Sequence, residues 1–102
     1  MQKEIITLKE HIEYQQNSVV SKEILKTENG TITIFAFDKG QGLSKHTTPF
    51  NALAYIIDGE AQIKIEETAY TLIEGQIIKF PANKPHSLKA LKRFKMLLVM
   101  IK

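Results

Sequence analysis

Apolar and polar residues alternate in short runs through most of the chain, with a period of two instead of the 3.6 of a helix. Val19 to Lys26 and Thr31 to Phe37 read as strands joined by the tight-turn signal Glu28-Asn29-Gly30. After a break at Lys39-Gly40-Gln41-Gly42, Leu43 to Thr48 reads as a further strand. Pro49 predicts a kink directly behind it, because proline cannot donate to a strand ladder. Ala52 to Ile57, Asp58-Gly59 and Ala61 to Ile65 form the clearest hairpin pattern. Its second arm puts Ala61, Ile63 and Ile65 on a core face and Gln62, Lys64 and Glu66 on a wet one. Ala69 to Ile73, a turn at Glu74-Gly75, Ile77 to Phe80, Ser87 to Leu91 and Phe94 to Ile101 supply the remaining strands.

Ahead of the strands, Ile5, Leu8 and Ile12 recur at helical spacing, and Thr7 with Glu10 fits a capping box, so a short N-terminal helix is predicted. Gln15 to Ser18 is then a loop. The expected organisation is one domain over residues 1–102, with a helix and loop at 1–18 and a β-domain at 19–102. About seven to nine strands and no long helix imply an all-β, antiparallel architecture that is closed or built from two sheets. The last strand is apolar on both faces: Phe94, Met96, Leu98 and Met100 on one, Leu97, Val99 and Ile101 on the other. Its outer face therefore needs a cover. A second copy of the chain is the preferred one, giving an expected homodimer, and the N-terminal segment is the alternative.

Composition narrows the partners. Apolar residues make up 43% and charged residues 25%, the balance of a folded domain. The formal charge of +3 comes from lysines, with Arg93 as the single arginine. Nucleic-acid readers lean on arginine forks and stacking aromatics, so no nucleic-acid partner is expected. The densest basic group, Lys84, Lys89, Lys92, Arg93 and Lys95, reads as a solvated rim. Cysteine is absent, which excludes disulfides and thiol catalysis and makes the cytoplasm the expected location. The opening MQKEIITLKEHIEY alternates charge with aliphatics instead of forming the apolar run of a secretory signal. Met96 to Ile101 is the longest unbroken apolar run, too short to span a bilayer, so no membrane partner is expected.

The candidate chemistry lies between Gly42 and His86. Two histidines, His46 and His86, stand near its ends, and strands that curl into a barrel can bring them face to face. His11 falls in the helical turn and is given no role. The spacing of Gly42, His46 and Gly59, and then of Gly75, Pro81 and His86 in GQIIKFPANKPH, resembles the two sequence motifs of the cupin family of small β-barrels. The resemblance implies a jelly-roll-like cupin barrel. In metal-binding cupins the ligands are two histidines and a glutamate of the first motif and the histidine of the second. By position, this chain keeps His46 and His86, has Thr48 in place of the second histidine and Ala52 in place of the glutamate. Asn51 lies one residue out of register, and only a kink at Pro49 would turn it toward the pair.

Two imidazoles are a fragment of a metal site, since a first-row divalent ion takes three or four strong protein ligands. The expected function is therefore binding of a small molecule in the barrel pocket by His46, Thr48, Tyr55, His86 and Met96. Phe35 or Phe37, Phe80 and Met100 are further candidates for its walls. The alternative is a cupin enzyme of the isomerase, lyase or dioxygenase kind, with a divalent transition metal held weakly by His46 and His86 and no catalytic residue assigned.

Overall fold

The computed structural model describes residues 4–102. A single helical turn, α1 (Leu8–His11), precedes eight strands: β1 (Val19–Thr27), β2 (Gly30–Phe37), β3 (Gly42–His46), β4 (Asn51–Ile65), β5 (Thr68–Ile73), β6 (Ile77–Phe80), β7 (His86–Lys89) and β8 (Phe94–Ile101). The helix is shorter than a capping box would support. Thr7 makes no side-chain capping bond, and the Glu10 amide bonds to the Thr7 carbonyl instead, at 3.0 Å. Among the described residues no helix is long and apolar enough to cross a membrane.

All pairings are antiparallel, in the order β1-β2-β8-β4-β7-β3, with β5 and β6 both paired to β4. The long strand β4 joins the two halves of this curled sheet. Its first part lies between β8 and β6, its second between β7 and β5. The expected hairpin at Asp58-Gly59 is therefore not a reversal. The chain runs on through a bulge there, where the pairing with β8 slips between Ile56 and Asp58 and Gly59 takes a φ of 79°. Glu74-Gly75 likewise turns a corner without doubling back. The Gly75 amide and the Gln76 carbonyl bond Ile56 on either side of it, each at 2.9 Å, so β5 and β6 follow β4 around the same bend.

Inward residues form levels across the strands. Phe37 and Phe94 close the floor, their rings 4.5 Å apart and nearly parallel. Met96 lies above them, level with Phe35 and Ile56, then Leu98 with Thr33 and Ala54. The open end is ringed by Met100, Thr31, Ala52 and Phe80 from one half and by Ile65, His86 and His46 from the other.

A second, smaller apolar cluster lies outside the barrel. Residues after α1 cross the outer face of β2, β8 and β4, and Ile12 packs with Ile34, Ala36 and Ile57 while Leu8, Tyr14, Tyr55 and Leu97 close around them. Tyr14 fastens this strap by donating to Asp58 Oδ2 at 2.6 Å. Two residues read from sequence as a solvated basic rim belong to the same fastening. Arg93 stacks over the Tyr14 ring at 3.9 Å, and Lys95, only 8% exposed, donates to the Lys9 carbonyl. Both charged heads lie over the Tyr14 ring, the Lys95 ammonium at 5.0 Å from its centre. The strap covers the outer face of β8 at Leu97 and leaves Val99 and Ile101 closer to solvent.

Candidate functional site

His46 ends β3 and His86 begins β7, and the strand register sets them directly opposite each other. Their ring centroids are 4.3 Å apart at 65°. Phe80, the last residue of β6, closes the third side at 4.6 Å from the His86 ring. The loop from Pro81 to Pro85 holds this geometry through three backbone contacts. The Asn83 amide donates to the Thr48 carbonyl at 2.7 Å, the Ala82 amide to Asn51 Oδ1 at 3.0 Å, and the Glu66 amide to the Pro85 carbonyl at 2.8 Å. A Lys84–Glu66 ion pair at 3.6 Å adds little, because both side chains are exposed.

Each imidazole is oriented by the backbone carbonyl two residues before it. His46 Nδ1 lies 2.7 Å from the Ser44 carbonyl, and His86 Nδ1 lies 3.1 Å from the Lys84 carbonyl. A carbonyl oxygen can only accept, so both Nδ1 atoms carry a hydrogen, and the neutral form of either ring keeps its lone pair on Nε2. Burial holds His86 below the ordinary imidazole value of 6.5; the Lys84 carbonyl opposes that shift and the nearby His46 reinforces it. Neutral His86 is an acceptor at physiological pH.

Other residues expected at the site lie elsewhere. Tyr55 points outward from β4 into the cluster under the N-terminal strap, on the far side of the sheet from the histidines. Met96 is 1% exposed and packed two levels below the mouth, where Met100 is the methionine that reaches the opening. Thr48 stays near the pair in the chain but uses its hydroxyl locally, donating to the Phe50 carbonyl at 3.1 Å and accepting from the Phe50 amide at 3.4 Å. Asn51 spends its side-chain oxygen on Ala82, so the kink at Pro49 does not turn it toward the histidines. Ile65 and Ala52 complete the wall. Their inward positions follow from pairing with His86 and Phe80.

A metal clamp needs more donors than this. Among the described residues no cluster of three or more His, Cys, Asp or Glu could hold an ion. With Thr48 and Asn51 engaged, His46 and His86 are the available strong ligands, and the set does not fit a protein-held divalent metal.

A curled antiparallel sheet with two inward histidines at its open end agrees with the sequence comparison. The profile of the cupin domain family matches residues 33–102. The chain belongs to that family. Among solved structures, this cupin is similar to a conserved protein of unknown function from Streptococcus pyogenes, at 36% identity and a TM-score of 0.91, covering 96% of this chain and 86% of that one. A cupin superfamily protein from Desulfitobacterium hafniense matches at 29% identity and a TM-score of 0.85, over 88% of this chain and 83% of the other. A cupin 2 conserved barrel domain protein from Leptotrichia buccalis reaches 36% identity and a TM-score of 0.92 over 95% of this chain, which spans 47% of that protein. No curated protein gives a significant match.

Proposed function

We propose that this cupin binds a small organic molecule at the mouth of its barrel, with His46 and His86 accepting hydrogen bonds from it. One observation carries the reading: both Nδ1 atoms are committed to backbone carbonyls, which leaves Nε2 free on each of two rings whose centroids are 4.3 Å apart at the open end of an apolar barrel. Amide chemical shifts of the full chain, recorded against a panel of common metabolites, test it. A ligand of this site moves residues 44–48 and 84–88 and loses affinity in His86→Phe, whereas shifts confined to other surfaces would overturn the assignment. The pH dependence has a defined sign. Protonation turns Nε2 from acceptor to donor, so affinity is full above the imidazole range and falls as the pH drops through the depressed value of His86.

A second reading, an isomerase, lyase or dioxygenase of the cupin kind using a divalent metal on the two histidines, draws on the same arrangement, since metal-ligating histidines donate their other ring N–H to a carbonyl. The donor count argues against it, and the binding reading is preferred. We further propose that a second copy of the chain covers the outer face of β8 where the strap ends, around Leu53, Val99 and Ile101.

A further inference from the structure

β5 and β6 follow each other in the chain, yet each pairs only with β4, and on opposite halves of it. No ladder joins them, so the barrel wall is split along this side. Gln76 closes one end of the split: its side-chain oxygen accepts from the Ile73 amide at 2.9 Å, and its own amide donates to the Ile73 carbonyl at 3.1 Å. Beyond it lies a cleft of about 570 Å³, within the size range of small-molecule sites.

The cleft reaches the inward face of the sheet. On β5, Tyr70 stands opposite Ile63 and Leu72 opposite Ala61, both fully buried, so these two side chains point inward; Ile78 does the same from β6, opposite Ala54. Leu72 is 5% exposed, but Tyr70 is 44% exposed. An inward tyrosine that meets water marks the opening. Ile65 and Ile77 extend the apolar wall. The polar groups are mostly donors: Gln76 has spent its side-chain oxygen on Ile73 and keeps its NH2, and the Tyr70 hydroxyl has no hydrogen-bond partner among the described residues. Lys79, exposed on the β6 rim, forms no ion pair among the described residues, and no carboxylate lines the cleft. A bound cation would meet Lys79 without a counter-charge, and an uncharged alcohol would leave the ammonium unmatched. An alkyl chain ending in a carboxylate satisfies both the wall and the donors.

We propose that the cleft between β5 and β6 binds medium-chain aliphatic carboxylates, the chain against Ile65, Leu72 and Ile78 and the carboxylate taken by Lys79 and the Tyr70 hydroxyl. This site does not depend on the histidine mouth. The test titrates the full chain at pH 7.5 with sodium octanoate, butanoate, 1-octanol and octylammonium, and follows the amides of residues 68–73 and 76–80. Octanoate is expected to bind at least about tenfold more tightly than butanoate, since four more methylenes reach the apolar wall. It should also bind about fivefold more tightly than octanol, the scale of one exposed charge pair with its hydrogen bond, and octylammonium should be the weakest of the eight-carbon probes. Lys79→Gln should bring octanoate down to the affinity of octanol and leave octanol unchanged, and Tyr70→Phe should weaken octanoate by roughly threefold. Both changes are at exposed side chains, and melting temperatures report that the variants fold. Equal affinity for octanoate and octylammonium would overturn the carboxylate class. Shifts confined to residues 44–48 and 84–88 would place the ligand at the mouth and overturn the cleft as a site while leaving the histidine reading intact. No response to octanoate at millimolar concentration would overturn the proposal outright.

Discussion

Ala52 stands on the wall of the mouth, paired with Phe80, whose ring touches His86. A carboxylate placed there would complete a two-histidine, one-carboxylate set, enough for a zinc ion with an open position. Ala52→Glu is therefore expected to bind zinc at least about tenfold more tightly than the parent by titration calorimetry; no gain would show that position 52 does not reach the pair. Residue identity was legible where chemistry is distinctive. His46 and His86 stood out because imidazoles are rare in this chain and flank motif glycines. Tyr55 was misplaced because Ala52 to Ile57 is apolar on both faces, so alternation alone cannot say which parity looks inward, whereas Met96 does face inward but two levels below the mouth, a depth that alternation does not encode. The strap of residues 12–14 is what makes the outer face apolar too. Thr48 failed differently: a hydroxyl two residues before an amide satisfies its own turn before it reaches a ligand.

At the scale of elements, the Asp58-Gly59 pattern is the instructive miss. A hairpin and a bulged continuous strand share the same turn residues, because both need a glycine at positive φ. The distinguishing sign was in the parity. Ala52, Ala54 and Ile56 point inward before the bulge, and Ala61, Ile63 and Ile65 after it, a switch from even to odd positions that one extra residue produces on a strand that does not reverse. Gly59 also lies so close to β8 that a Cβ would collide with the Arg93 carbonyl oxygen, whereas at Gly75, with a φ of 91°, a Cβ would meet nothing within 4 Å. Gly75→Ala should cost only the backbone strain, about 1–2 kcal/mol. Gly59→Ala adds the collision and should exceed it by roughly 2 kcal/mol or more in urea unfolding. Equal costs would mean that the contact with Arg93 relaxes freely and that the bulge does not depend on it.

For the molecule as a whole, the outer face of the β1-β2-β8-β4 half is divided between two covers. The N-terminal strap occupies one end through Ile12 and Tyr14. At the other end Leu25 and Ile101 are 54% and 62% exposed, and Leu25, Ile32, Val99 and Leu53 form a row across the four strands, with Ile101 beside it on β8. Four strands about 4.8 Å apart, with one or two outward apolar residues each, make a patch of a few hundred Å². A two-fold axis near Val99 would lay this stripe on its own copy, apolar against apolar, without setting like charges opposite each other at the centre. The patch falls short of the roughly 800 Å² per partner of a standard interface, so the dimer should be concentration-dependent. Size exclusion with light scattering should then show a mass rising from one chain toward two between micromolar and millimolar protein. Val99→Glu should stay monomeric throughout while keeping the parent's melting temperature at low concentration, because the new carboxylate would face water in the monomer and an apolar partner in the dimer. A parent that remains monomeric over the whole range would leave this face uncovered by its own kind and overturn the proposal.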